Sequence, residues 1–139
     1  MMIPGWDEAM SVHPTMRWQL VGHGSARFSW TVAGGLVEVS TSYVGDALGG
    51  LIQAASDLKI GASATFTYFL GEPGGYRMFF SGAVEEVFVQ LVQFDDLQTE
   101  AERWKGGVLV WAGRVKTSDF VNSVRLMAES LLQESGIDG

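Results

Sequence analysis

The chain has 139 residues, of which 47% are hydrophobic and 12% aromatic, enough for one domain with a sizeable core. Nine Lys and Arg stand against sixteen Asp and Glu, and the resulting net charge of −7 disfavours binding to nucleic acid or to anionic membranes. Because the sequence contains no cysteine, disulfides and thiolate metal sites are excluded.

The first residues give no sign of a targeting segment. Residues 1–15 lack the basic start and continuous apolar run of a signal peptide, and we expect them to be irregular. No apolar stretch reaches the roughly 18–20 residues that a membrane span requires. We therefore expect a single cytoplasmic domain spanning residues 1–139.

Three strands are predicted at the start of the domain. Residues 16–21 alternate between apolar and polar side chains, which is typical of a strand with one buried face. Residues 26–32 repeat the pattern, and Gly34-Gly35 predicts a tight hairpin turn into a third strand at 36–41. Short glycine turns between successive strands indicate an antiparallel meander.

The hydrophobic period then changes to that of a helix, beginning near Asp46 and ending at Gly61. Its apolar face contains Ala47, Leu48, Leu51, Ile52, Ala55 and Leu58. Gly49-Gly50 lies inside this helix, where each glycine costs about 1 kcal/mol relative to alanine. That cost predicts a helix backbone packed closely against the sheet.

Four more strands and a last helix follow. The strands are predicted at residues 64–70, 76–80, 84–94 and 108–115, and the helix at 119–134. The segment 71–75, Gly-Glu-Pro-Gly-Gly, is interpreted as a turn. Strand 84–94 is apolar on both faces, as in a central strand or a partner surface. The order βββ-α-ββββ-α predicts an α+β fold, an antiparallel sheet of six to seven strands with both helices on one face.

The other face of this sheet is expected to be polar. It is either a solvent face or a platform for a partner. The side chains assigned to it are Arg27, Ser29, Thr31, Glu38, Ser40, Thr65, Thr67 and Arg77.

No pattern of catalytic or metal-binding residues is present in the sequence. His13 and His23 are the only histidines, and they have neither metal-site spacing nor a nucleophile motif near them. We therefore expect no metal and no cofactor, and the sequence favours a protein without catalytic activity.

An acidic segment follows strand 84–94. It is interpreted as a solvated loop or as a docking loop for a cationic protein, with a tryptophan as the anchor of the contact. The residues assigned to this partner site are Asp95, Asp96, Glu100, Glu102 and Trp104.

Several short stretches resemble a family of small uncharacterised actinobacterial proteins. They are Trp18-Gln-Leu20 with Gly22, Gly24 and Ala26, then residues 42–48 (Ser-Tyr-Val-Gly-Asp-Ala-Leu), 72–77 (Glu-Pro-Gly-Gly-Tyr-Arg) and 94–96 (Phe-Asp-Asp). The size and layout of the chain also resemble those of proteins that give immunity against secreted bacterial toxins. That second resemblance implies a protein partner, a basic toxin.

Three functional hypotheses follow. The first is a non-enzymatic protein-binding domain, such as an immunity protein that neutralises a toxin through its acidic surface. The second is a small-molecule binding domain or an enzyme with a pocket between sheet and helices. The residues assigned to that pocket are Tyr43, Tyr68, Tyr76, Arg77 and Arg114. The third is a structural homodimer formed through a sheet edge or through the face of the long strand.

Overall fold

The computed structural model describes residues 15–22, 24–32, 35–42, 44–71, 74–82, 84–95 and 106–135. The predicted fold class and element order are confirmed. The elements are β1 (Met16–Gly22), β2 (Ser25–Val32), β3 (Gly35–Thr41), α1 (Val44–Lys59), β4 (Ala64–Leu70), β5 (Gly75–Ser81), β6 (Glu86–Phe94), β7 (Val108–Lys116) and α2 (Thr117–Ser135). The predicted irregular segment lies outside the described residues except for Thr15.

The seven strands are divided between two antiparallel sheets, ordered β1-β2-β3 and β4-β5-β6-β7, instead of forming one. The sheets meet where β3 and β4 end. There the Ser42 amide and the Thr41 hydroxyl both donate to the Leu70 carbonyl, at 2.8 and 2.9 Å. Among the described residues no strand ladder continues from this point, so backbone hydrogen bonding joins the two sheets at the carboxyl ends of β3 and β4.

One hydrophobic core holds both sheets and both helices together. Phe28 of β2 stacks on Phe69 of β4 with ring centroids 5.6 Å apart. Phe120 of α2 contacts Trp30 of the first sheet at 5.6 Å and Phe80 of the second at 4.9 Å. Aromatic side chains therefore supply the contacts that connect the layers.

The close packing predicted for Gly49-Gly50 is present at one of the two glycines. A methyl group at Gly50 would collide with the hydroxyl of Thr67, which is 2% exposed on β4. The corresponding position at Gly49 has no neighbouring atom within 4 Å. Helix α1 thus approaches β4 through Gly50, while Gly49 faces open space.

This approach reverses the orientation expected for β4. Thr65 and Thr67, predicted on the face away from the helices, point toward α1. The Thr65 hydroxyl donates to Asp57 Oδ2 at 2.9 Å. A helix backbone this close requires small side chains beneath it, so the large Phe66 and Tyr68 occupy the outward face.

The two glycines give a matched pair of variants. We expect Gly49→Ala to raise the free energy of unfolding by up to about 1 kcal/mol, because alanine is the better helix former and meets no atom. We expect Gly50→Ala to lower it by about 1–3 kcal/mol, because the added methyl overpacks the contact with Thr67. Urea unfolding followed by circular dichroism measures both.

Thr67→Ala removes the colliding hydroxyl and serves as the control background. Gly50→Ala should cost less in that background than in the wild type, a coupling that a double-mutant cycle isolates. Equal effects of Gly49→Ala and Gly50→Ala would contradict the close approach of α1 to β4.

Candidate interaction surfaces

The predicted acidic site lies largely outside the described residues. Asp96, Glu100, Glu102 and Trp104 belong to the segment that the structure does not describe. Asp95 is exposed and directly follows the last residue of β6. The docking loop therefore stays a prediction, and its first carboxylate is located at one end of the second sheet.

The described residues of the predicted pocket do not converge between sheet and helices. Tyr68 and Arg77 are direct cross-strand neighbours on the outward face of β4 and β5. Tyr76 points to the opposite face, because successive strand residues alternate. Arg114 lies on β7, two strands away from Arg77, and Tyr43 is outside the described residues.

Tyr76 and Arg114 line separate cavities. Tyr76 borders one of about 230 Å³ together with Leu91 and Trp111. Arg114 borders one of about 260 Å³ beside Trp30 and Asp119. Both volumes fall below the roughly 300–1,000 Å³ of most small-molecule sites.

The outward face of the second sheet is the largest feature that the sequence did not predict. We call it the outer aromatic face. By the strand register it contains Phe66, Tyr68, Arg77, Phe79, Glu86, Phe88, Gln90, Val92, Phe94, Leu109, Ala112, Arg114 and Lys116. Apolar residues thus predominate on a face that is turned away from both helices.

The aromatic side chains of this face contact one another along and across the strands. Phe66 stacks on Phe79 of the next strand with centroids 5.8 Å apart, and Tyr68 lies 6.4 Å from Phe66 along β4. Phe66 is 44% exposed, Tyr68 46% and Leu109 54%. The face is therefore ordered by its own packing and still exposes large apolar side chains.

Two arginines of this face lie over aromatic rings. The guanidinium carbon of Arg77 is 4.7 Å from the ring centroid of Phe94, and that of Arg114 is 5.7 Å from the ring of Phe88. Arg77 is only 5% exposed, whereas Arg114 is exposed. The cation–π contact of Arg77 is thus formed in the drier environment, where such contacts are strongest.

The outward face of the first sheet differs sharply. Its side chains include Arg17, Gln19, Arg27, Ser29, Glu38 and Ser40. The Ser29 hydroxyl donates to Glu38 Oε2 at 3.4 Å, an exposed polar contact. The outward face predicted from the sequence is confirmed for the residues of β2 and β3 and for Arg77 of β5, and it is wrong for Thr65 and Thr67 of β4.

The charge of the outer aromatic face also departs from that of the whole protein. Among the described residues, the register places one carboxylate on it, Glu86, opposite Lys116. Arg77, Arg114 and Lys116 contribute positive charge, although the chain as a whole carries −7. Most carboxylates of the described residues therefore lie off this face.

Two observations from the sequence pointed toward this surface. Strand 84–94 is apolar on both faces, a pattern that is typical of a central strand or of a partner surface. In β4, aromatic side chains occupy the same face at positions 66 and 68, opposite the threonines. Phe66, Phe79 and Phe88 are not predicted on an exposed face, because aromatic side chains of strands usually pack beneath a helix.

No metal cluster of three His, Asp or Glu side chains is found among the described residues. Within the same part of the chain, no helix is both long and apolar enough to cross a bilayer. Comparison of the chain with protein-family models, with curated proteins and with solved structures found no match. The resemblances to actinobacterial and toxin-immunity proteins therefore stay predictions.

The two arginine–phenylalanine contacts allow a direct comparison of buried and exposed cation–π pairs. In double-mutant cycles with Arg→Met and Phe→Leu, we expect the Arg77–Phe94 pair to show a coupling of about 1–2 kcal/mol. The exposed Arg114–Phe88 pair should show about 0.5 kcal/mol. Chemical unfolding of the single and double variants provides the free energies, and a larger coupling for Arg114–Phe88 would contradict the assignment.

Proposed function

We propose that this chain is a non-enzymatic protein-binding domain and that its contact surface is the outer aromatic face. The observation that carries this proposal is the exposure of Phe66, Tyr68 and Leu109 on one side of a regular sheet. Soluble monomers rarely expose contiguous apolar patches of this kind unless the patch binds something. The matching face of the first sheet is mainly polar, with Leu36 as a large exposed apolar side chain, so the contiguous cluster of aromatic side chains is specific to the second sheet.

The composition of the face fits protein contacts. Aromatic residues and arginine are enriched where protein interfaces gain most of their binding free energy, while aspartate and glutamate are depleted. The outer aromatic face combines Phe66, Tyr68, Phe79 and Phe88 with Arg114 at its end. Four hydrogen-bonded strands hold these side chains rigidly, which reduces the conformational entropy lost on binding.

The immunity-protein hypothesis is a specific form of this proposal. Asp95 follows Phe94 directly, so the acidic segment begins at the end of a strand of the outer aromatic face. A partner with an apolar patch and flanking basic residues could contact both surfaces. A basic bacterial toxin has that chemistry, and neutralising it would require only tight binding.

The outer aromatic face is tested by capture experiments with matched variants. Wild type, Tyr68→Glu, Leu109→Glu and the control Leu36→Glu are immobilised and incubated with lysate of the native host. Leu36 is 61% exposed on the outward face of the first sheet, so its variant introduces the same charge at an unrelated site. We expect at least about tenfold loss of captured partner for Tyr68→Glu and Leu109→Glu, since a buried unpaired carboxylate costs several kcal/mol.

Capture that is equal for all four proteins, or lost only with Leu36→Glu, would contradict the proposed surface. Circular dichroism and the midpoint of thermal unfolding of each variant establish that a loss of capture is not a loss of folding.

The acidic segment has its own test. We expect Asp95→Asn, Asp96→Asn, Glu100→Gln and Glu102→Gln together to weaken partner binding at low salt and to flatten its dependence on salt concentration. Affinities are compared at about 20 and 500 mM salt, where the Debye length falls from about 20 Å to about 4 Å. An unchanged affinity at both concentrations would remove the electrostatic part of the immunity hypothesis.

A further inference from the structure

We propose that the outer aromatic face is covered by a second copy of this chain, in a symmetric dimer in which the two four-stranded sheets stack face to face. This inference rests on the proposed function and names the partner of the same surface. Three properties of the described residues support it: the size of the face, the single carboxylate that the register places on it, and the positions of Arg114 and Asp95 at its opposite ends.

The size of the face suits a dimer. Four strands at a spacing of about 4.8 Å and seven residues at about 3.4 Å each give a footprint of roughly 19 by 24 Å. Two such footprints amount to about 900 Å², and the accessible area exceeds this because the side chains are not flat. The buried area would then lie near the 1,000–1,200 Å² that mark the lower end of specific interfaces.

The outer aromatic face has few of the carboxylates that would oppose self-association. Two copies that carry −7 each repel one another, and the repulsion is greatest where carboxylates meet. On the outer aromatic face the register places Glu86 opposite Lys116, with Arg77 and Arg114 on the same side of the sheet. Among the described residues, contact through this face therefore brings one carboxylate of each copy into the interface, with Lys116 as its cross-strand neighbour.

The positions of two charged residues select the symmetry. Arg114 is paired with Phe88 near the start of β6, whereas Asp95 follows the end of that strand. A two-fold axis parallel to the strands would bring the two Arg114 ends together. An axis perpendicular to the strands, within the interface, exchanges the ends and brings Arg114 of one copy near Asp95 of the other. Opposite charges thus favour the exchanged arrangement.

The oligomeric state is the first test. Sedimentation equilibrium of the full chain at about 1–100 μM should show a dimer for wild type and for Leu36→Glu. Tyr68→Glu and Leu109→Glu should raise the dimer dissociation constant by at least about 100-fold, because each places two carboxylates in an apolar contact. Circular dichroism checks that these variants are folded.

The outcomes separate this inference from the proposed function. A monomeric wild type, or dimers that persist in both face variants, would overturn the homodimer. If the wild type is monomeric and the face variants still lose a captured protein, the binding surface stands and its occupant is a different protein. If the variants change neither assembly nor capture, both proposals fail.

Charge exchange tests the symmetry. Arg114→Glu and Asp95→Lys should each weaken the homodimer by about tenfold at low salt, since each places like charges at both ends of the interface. An equimolar mixture should recover wild-type affinity as a heterodimer, in which one end holds the original pair and the other the exchanged pair. Failure of the mixture to recover, with each variant alone weakened, would overturn the exchanged-end dimer.

Discussion

The contact between Gly50 of α1 and Thr67 of β4 is the constraint on which much of this structure depends. It brings a helix backbone onto a strand with only a hydroxyl-bearing side chain between them. Because strand residues alternate, the side chain beneath the helix fixes the orientation of all of β4. Phe69 is thereby directed into the core, and Phe66 and Tyr68 are directed out of it.

The orientation of β4 therefore determines both the core and the outer aromatic face. On the inner side, Phe69 stacks on Phe28 and connects the two sheets. On the outer side, cross-strand pairing transmits the orientation of β4 to β5, β6 and β7, so the residues paired with Phe66 and Tyr68 also face outward. A surface suited to protein contact thus arises from the same alternation that fills the interior.

The sequence was sufficient for the elements and for the first sheet, but not for the orientation of β4. In β2, the apolar residues Ala26, Phe28 and Trp30 alternate with polar residues, so only one face can be buried. In β4, Thr65, Thr67 and Phe69 share one face, opposite Phe66, Tyr68 and Leu70, and hydrophobicity alone favours burying the second set. The deciding factor is the space beneath α1, a tertiary property to which Gly50 was the local clue. The acidic segment is recognisable from its composition alone. The outer aromatic face can be identified only when the pairing register of all four strands is known.

The shared Leu70 carbonyl has a mechanical consequence. The described residues of β3 and β4 are joined there by two hydrogen bonds to one oxygen, and the strands form no ladder with each other. Two such bonds contribute only about 1–3 kcal/mol of net stability, so backbone pairing offers little resistance to a change in the angle between the sheets. That angle is set instead by side chains, above all by the rings of Phe28, Phe69 and Phe120. The shape of the protein across this seam is thus determined by the volumes of a few core residues, and a change in one ring would tilt one sheet against the other without breaking either.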